Sequence, residues 1–207
     1  MTADREHGAD RMIDSVRLHR EIQEKYRQVA SDPTGEYHFF TGRQAADHIG
    51  YPRTTLADLP DHVVDAFAGV ANPFYWGLPT DGETVVDIGA GAGLDSVVAA
   101  RAVGPDGAVI GVDMTKDMLD RGRRSAEHLG LDHLQFREGR AEDLPLSDQS
   151  VDLVISNGVF NLVPDKERAY QEVHRVLKPG GRFQVADIVV DKPIPEGTQR
   201  NIDLWTG

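Results

Sequence analysis

The 207-residue chain contains no cysteine, which excludes disulfides, thiolate metal sites and a cysteine nucleophile. Its eight histidines do not have the spacing of metal ligands, so we predict no metal site. No apolar run approaches the roughly 20 residues that a membrane span needs. No hydrophobic signal segment follows the polar first residues, and we therefore expect a cytoplasmic protein with no membrane partner.

Basic residues are also few. The chain has 22 Lys and Arg against 34 Asp and Glu, which gives a net charge of −12. A field of that sign repels phosphate backbones, and the basic residues are interleaved with acidic ones instead of forming a patch. We therefore predict no nucleic-acid partner.

From residue 83 onwards, short β-branched runs alternate with helical segments. Strands are predicted at residues 84–87, 108–112, 133–137, 151–156 and 182–190, and helices at 94–103, 116–129 and 165–177. Strands and helices that alternate at this interval form a parallel sheet with right-handed crossovers. The predicted fold class is α/β, a doubly wound and mainly parallel sheet of the Rossmann-like type.

Before this sheet the chain is predicted to be helical. Residues 12–30 carry apolar side chains at helical spacing, and shorter helices are predicted at 42–49 and 56–67; the apolar positions of the first helix are Ile13, Val16, Ile22, Tyr26 and Val29. We expect two units, an N-terminal helical cap at 1–80 and a Rossmann-like cofactor-binding domain at 81–207.

A glycine-rich turn follows the first predicted strand and reads Asp87-Ile88-Gly89-Ala90-Gly91-Ala92-Gly93. Glycine lets the backbone approach a ligand where a Cβ would clash. Ligands of doubly wound sheets bind beyond the carboxyl ends of the strands, where the strand order reverses. The second strand ends at Asp113, and a carboxylate there can accept hydrogen bonds from both hydroxyls of an adenosine ribose.

The spacing of these glycines distinguishes between two adenosine cofactors. The dinucleotide pattern G-x-G-x-x-G is not met, because Leu94 stands where the third glycine would fall. Asp87 suits the cationic amino group of a methionine better than a pyrophosphate. S-adenosylmethionine (SAM) is therefore favoured, and a nicotinamide oxidoreductase is disfavoured.

Residues 85–93 resemble motif I of class I SAM-dependent methyltransferases. Residues 140–145 resemble the segment that surrounds adenine in that family, and residues 175–181 resemble its turn before strand five. Arsenite methyltransferases are the most similar subfamily, through residues 111–115 (GVDMT), 155–162 (ISNGVFNL) and 185–189 (VADIV). The resemblance implies the class I fold, SAM as cofactor and methyl transfer as the reaction.

The resemblance also implies roles for residues of the glycine-rich turn and the strand after it. The backbone of Gly89 and Gly91 would hold the methionine portion of SAM, with Asp87 near its amino group. Asp113 would bind the ribose. Met114 would pack on the adenine, although core packing explains a methionine there equally well.

Three further site residues come from later segments. Ala141 and Glu142 would meet the edge of the adenine, and a solvated loop charge is the alternative interpretation of Glu142. Asn157, at the end of the fourth strand, would border the methyl group that is transferred.

The chain departs from the arsenite methyltransferases at their metalloid site. Those enzymes hold trivalent arsenic with cysteine thiolates, and Gly158 stands at one of these positions here. The segment at residues 36–40, where another thiolate is expected, also has none. The predicted function is methyl transfer to a small-molecule acceptor, by an enzyme that is arsenite methyltransferase-like in sequence.

The end of the chain departs from the family as well. Class I methyltransferases finish with a helix and an antiparallel hairpin, and we expect that hairpin to be missing after Val190. The fifth strand would then be an open edge, which is a site of association. A homodimer through this edge is one predicted way to cover it, and folding back of the last residues is the other.

Two questions stay open at this stage. Tyr37 and His38 belong to an aromatic and basic cluster with Phe39, Phe40 and Arg43, which is either a substrate lid with His38 as a base or a packed cap. The candidate catalytic residues are thus Tyr37, His38 and Asn157. The whole domain could also be a catalytically inactive SAM-binding module that acts through protein association.

Overall fold

The computed structural model describes residues 15–189 and residue 191. Five parallel strands form one sheet in the order β3-β2-β1-β4-β5, where β1 is Thr84–Ile88, β2 is Ala108–Asp113, β3 is Leu134–Glu138, β4 is Val151–Asn157 and β5 is Leu177–Ala186. The predicted doubly wound parallel sheet is confirmed. The strand order reverses between β1 and β4, so the carboxyl ends of these two strands mark the expected ligand site.

Helices precede the sheet and cover both of its faces. They are α1 (Ser15–Ser31), α2 (Gly42–His48), α3 (Arg53–Leu56), α4 (Asp61–Val64), α5 (Leu94–Val103), α6 (Lys116–Leu129) and α7 (Lys166–Val176), with short 3-10 helices at Pro73–Trp76 and Phe160–Leu162. In the part of the chain that the structure describes, no helix combines the length and the apolar character that crossing a membrane requires.

The alternation of side chains along β1 divides the core into two layers. Val85 points to the face covered by α5 and α6, whereas Val86 points to the face covered by α7. Both side chains are fully buried, as expected for a central strand of a parallel sheet. The glycine-rich turn therefore starts from a strand that is fixed on both faces.

The cap and the sheet share one hydrophobic core. Tyr51, Leu56 and Val64 from the cap are buried in the same cluster as Val85 and residues of α5. Arg121 of α6 also donates a hydrogen bond to the last turn of α1, at the carbonyl of Ala30. The unit boundary near residue 80 stays a prediction.

Three details of the predicted elements are wrong. The helix predicted at 56–67 is interrupted, because α3 ends at Leu56 and α4, which begins after Pro60, spans only Asp61–Val64. Val16 was placed on the apolar face of α1, but its side chain is 75% exposed, while Leu18 is fully buried. The helix predicted to run to residue 177 ends at Val176, because Leu177 adopts an extended conformation and pairs with Val151. β5 accordingly begins at Leu177 and ends at Ala186, whereas the predicted strand ran from 182 to 190. Residue 190 of that strand and residues 12–14 of the first predicted helix lie outside the described residues.

Candidate functional site

A deep cavity opens at the carboxyl edge of the sheet, where β1 and β4 diverge. Its walls come from the glycine-rich turn, the ends of β2 and β4, the loop after β3, α1 and the segment before the Pro73–Trp76 helix. All of the predicted cofactor residues line it: Asp87, Gly89, Gly91, Asp113, Met114, Ala141, Glu142 and Asn157. The structure thus brings together residues that are up to 70 positions apart in the chain.

The glycine-rich turn is held against β2 and leaves its centre open. The amides of Gly89 and Ala90 donate hydrogen bonds to the carbonyl of Val112, at 2.8 and 3.0 Å. Gly91 has φ of +53°, and an added Cβ there would meet no atom within 4 Å. Its missing side chain leaves space for a ligand instead of for another protein group.

Asp113 faces this turn from the end of β2. Its carboxylate accepts hydrogen bonds from the amides of Gly91, at 2.9 Å, and Thr115, at 2.7 Å. Burial raises the pKa of Asp113, and burial together with the charge of Asp113 raises the pKa of Tyr26 to about 12. A carboxylate fixed in this way beside an open turn is suited to bind the hydroxyls of a ribose.

Two more carboxylates lie in the cavity wall. Asp87 is 2% exposed and accepts a hydrogen bond from the Ser96 hydroxyl at 2.6 Å. Asp95, in the first turn of α5, is 6% exposed and was not predicted as a site residue. Burial and the charge of Asp95 raise the pKa of Asp87 well above its ordinary value, and burial raises the pKa of Asp95 to about 6. Two buried like charges favour a cationic ligand beside them.

Asn157 lies at the end of β4, next to Asp95. Its side-chain oxygen accepts hydrogen bonds from the amides of Val70, at 2.8 Å, and Ala71, at 3.3 Å. Its side-chain nitrogen donates to the carbonyl of Ala71 at 2.7 Å and to the Asp95 carboxylate at 3.0 Å. The neighbouring Gly158 also lines the cavity.

Helix α1 forms the roof of the cavity. Its Ile22 and Tyr26 line the space, and its Gln23 donates a hydrogen bond to the carbonyl of Met114 at 2.8 Å. Its His19 lies 3.3 Å from the Glu142 carboxylate, and both side chains are mostly buried. A helix in this position excludes water from the space beneath it.

Tyr37 and His38 lie elsewhere. They line a separate surface groove formed by residues 33–44 with Asp61 and Asp65. The Tyr37 ring stacks on Phe39 at 5.6 Å and its hydroxyl donates to the carbonyl of Asp32, which matches the packed cap. The structure does not bring Tyr37 or His38 to the cavity that contains Asn157, and the roof expected from their segment is supplied by α1.

SAM fits the residues that line the cavity. Asp113 and the open turn offer polar partners to a ribose, Asp87 and Asp95 offer negative charge to the cationic portion, and Met114 and Ala141 offer apolar surface. Among the described residues, no group of three His, Cys, Asp or Glu side chains is placed to hold a metal ion. The fold and the site are of the kind found in class I SAM-dependent methyltransferases.

Comparison with known proteins agrees with this class. Residues 79–206 match the family model described as Methyltransferase domain, and the chain belongs to that family. The arsenite methyltransferase of Halobacterium salinarum is 41% identical over 81% of this chain and 42% of its own length. The human arsenite methyltransferase is 32% identical over 73% of this chain and 45% of its own length.

A solved structure supports the same relationship. CrArsM, an arsenic(III) SAM methyltransferase from Chlamydomonas reinhardtii, superposes with a TM-score of 0.65 at 41% identity, over 70% of this chain and 51% of that protein. A phosphoethanolamine N-methyltransferase from Haemonchus contortus, at 19% identity and a TM-score of 0.61, shows the fold alone. The chain spans about half the length of the arsenite methyltransferases it matches. The predicted family and cofactor are confirmed.

Proposed function

We propose that this chain transfers the methyl group of SAM to a small-molecule acceptor. The observation that carries the proposal is the single cavity in which the cofactor residues Asp113 and Gly91 are continuous with Asn157 and Gly158 at the end of β4. A cofactor held at the turn leaves the wall around Asn157 for a second molecule. Similarity to arsenite methyltransferases supports a small acceptor.

The residues of the chain would divide the binding of SAM among them. Asp113 would accept hydrogen bonds from the ribose hydroxyls, and Asp87 would lie near the amino group. Met114 and Ala141 would contact the adenine, next to Glu142, whose carboxylate is oriented by His19. When bound, SAM supplies a methyl group on a positively charged sulfur, which a nucleophile displaces in line.

The contribution of the protein to the reaction is alignment and exclusion of water. Helix α1 covers the cavity, and displacement of this kind depends mainly on holding the two reactants in line. The described cavity residues place carboxylates, a tyrosine and an asparagine around the space, and an acceptor that is already nucleophilic needs no general base. The bound acceptor would lie between Asn157 and the segment at residues 67–69.

The names of the relatives give arsenite as their acceptor, but this chain has no thiolate to hold arsenite. Thiolates are the ligands that match trivalent arsenic, and carboxylate or imidazole groups do not replace them. The position expected for one thiolate is Gly158, which lines the cavity without a side chain. We therefore propose that the acceptor is not free arsenite, because the residues of this chain alone could not hold it.

The remaining proposals concern partners and location. We expect the protein to act in the cytoplasm on an acceptor that is not a nucleic acid, because a net charge of −12 repels phosphates. We also propose a homodimer through β5, the outer strand of the described sheet, where Val185 is 45% exposed.

Formation of S-adenosylhomocysteine tests the proposed function. The purified chain is incubated with SAM and fractions of a metabolite extract, and product is measured by mass spectrometry. We expect at least one fraction to give S-adenosylhomocysteine in proportion to enzyme, and Asp113→Ala to reduce it while Asp106→Asn, an exposed turn variant, does not. SAM binding without turnover in any fraction would instead indicate a binding module.

A further inference from the structure

The carboxamide of Asn157 is held in one orientation by its neighbours. Its oxygen faces the two amides of Val70 and Ala71, and its nitrogen faces the carbonyl of Ala71 and the Asp95 carboxylate. If the oxygen and the nitrogen were exchanged, the NH2 group would face the amides of Val70 and Ala71, which are also donors. The oxygen would then face the Asp95 carboxylate, which is also an acceptor. Because an amide offers only these donors and acceptors, the network fixes the side chain.

Residues 69–71 form a backbone segment, called the strap below, which begins in the cavity wall at Gly69 and continues along Asn157. Gly69 lies so close that an added Cβ would be 2.4 Å from the Asn157 side-chain nitrogen. Gly69 also lines the cavity beside Asn157 and Gly158. The position of the strap therefore sets the width of the cavity at the end where the acceptor is proposed to bind.

Asp95 connects this strap to the cofactor turn. It follows Gly93 by two residues, and its two carboxylate oxygens have different partners. One accepts a hydrogen bond from the buried Tyr51 hydroxyl, and the other accepts from Asn157 at 3.0 Å. The Tyr51 ring contacts Phe67 edge to face at 5.4 Å, which joins the network to the cap next to the strap.

We propose that Asp95, held by Tyr51, is a positioning residue that orients Asn157 and through it fixes the strap against the acceptor end of the cavity. This inference rests on the proposed function, because it assigns the acceptor to the Asn157 wall. Asp95 acts on the acceptor end of the cavity only through the Asn157 side chain, and it takes no part in bond formation. Its role is to couple the turn that holds the cofactor with the segment that borders the acceptor.

The test compares two variants that keep the volume of the network. Asp95→Asn has one acceptor oxygen where Asp95 has two, so a donor from Tyr51 or Asn157 loses its partner. Tyr51→Phe keeps the ring contact with Phe67 and removes only the hydroxyl. Hydrogen exchange is measured at the amides of Val70 and Ala71, relative to the amides of β1, with Asp106→Asn as the control.

We expect exchange at Val70 and Ala71 to become about tenfold faster in Asp95→Asn, the effect of one lost hydrogen bond, with β1 unchanged. Tyr51→Phe should give a smaller increase at the same two amides, and Asp106→Asn none. With an acceptor from the metabolite fractions, the acceptor KM should rise in both variants, whereas the Kd for SAM should change only in Asp95→Asn, which removes a carboxylate from the wall of the cofactor cavity.

Unchanged protection of Val70 and Ala71 in both variants would overturn the inference, and so would an equal increase at the strap and β1, which indicates general destabilisation. The proposed function fails separately, if wild-type protein does not bind SAM or does not turn it over. The exchange experiment is carried out without ligand, so it decides the role of Asp95 in either case.

Discussion

Asp87 and Asp95 are both more than nine-tenths buried in the wall of the cofactor cavity, and burial together with the charge of Asp95 raises the pKa of Asp87 well above its ordinary value. Burial raises the pKa of Asp95 to about 6, whereas that of an unfolded Asp is near 3.8. Near pH 6 the pair therefore retains protons that free carboxylates would have lost. A cationic ligand beside them favours the ionised forms and drives those protons off.

We therefore predict that SAM binding at pH 6 releases protons. Ionised carboxylates bind the cation, so the affinity should rise as pH increases through the Asp95 pKa of about 6. Calorimetric titrations at pH 6, in two buffers with different ionisation enthalpies, measure the number of protons. Asp95→Asn should release fewer protons, and equal release in this variant and the wild type would contradict the assignment.

Gly122 in α6 gives a prediction about stability. Alanine is normally better than glycine inside a helix by about 0.5–1 kcal/mol. Here an added Cβ would be 2.6 Å from the Phe136 ring, which is also approached closely by Gly93 and Gly111 and has no room to move. Overpacking of about 1–3 kcal/mol outweighs the helical gain, so Gly122→Ala should lower the free energy of unfolding.

Urea unfolding followed by circular dichroism measures this difference. The double variant Gly122→Ala/Phe136→Leu is the control, because a smaller side chain at position 136 removes the overlap. We expect Gly122→Ala to lower the free energy of unfolding less in the Phe136→Leu background than in the wild type. An increase in stability from Gly122→Ala alone would mean that the Phe136 ring is free to shift.

The absence of cysteine gives a prediction about arsenite. Purified protein with SAM and arsenite, but without added thiol, should not form methylated arsenic, because the chain has no thiolate to align the metalloid. Mass spectrometry of the arsenic species measures this. Methylated arsenic in proportion to enzyme would contradict the prediction, and a separate reaction with glutathione shows whether a preformed arsenic–thiol complex is accepted.

The proposed dimer is tested at β5. Val185 and Val189 are 45% and 87% exposed, on a strand and its extension at the edge of the described sheet. Light scattering should give a dimer for the wild type and a monomer for Val185→Lys/Val189→Lys, since a charge at an edge strand opposes pairing. Lys substitution at the exposed Val16 of α1 is the control, and a wild-type monomer would exclude the dimer.

The sequence is most informative where a local pattern has a fixed structural meaning. β-Branched residues around Val85 predict a buried strand, the glycines after it predict a turn, and Asp113 then lies at the next strand end. The doubly wound order places these three features at one edge. The cofactor half of the site could therefore be predicted from residues 84–113.

The acceptor half depends on contacts between distant residues. Asp95 stands in the first turn of a helix, where the helix dipole accounts for an acidic residue as well as a role in the site does. Its partner Tyr51 is 44 positions away in the chain. Helical periodicity around Ile22 indicates that α1 is packed on one side without indicating what it covers. The sequence left His38 open between a lid and a packed cap, because its suitability as a base comes from its chemistry alone and its exposed position carries no periodic signal.

Calorimetric titration of SAM into wild-type protein and Asp113→Ala measures whether Asp113 and the glycine-rich turn form a SAM site. We expect SAM and S-adenosylhomocysteine to bind the wild type, NAD not to bind, and Asp113→Ala to weaken SAM binding by about 1.5–3 kcal/mol through loss of charged hydrogen bonds. Asp120→Ala, on the exposed face of α6, should bind as the wild type does. Equal SAM affinity in the wild type and Asp113→Ala, or binding of NAD in place of SAM, would contradict this SAM site.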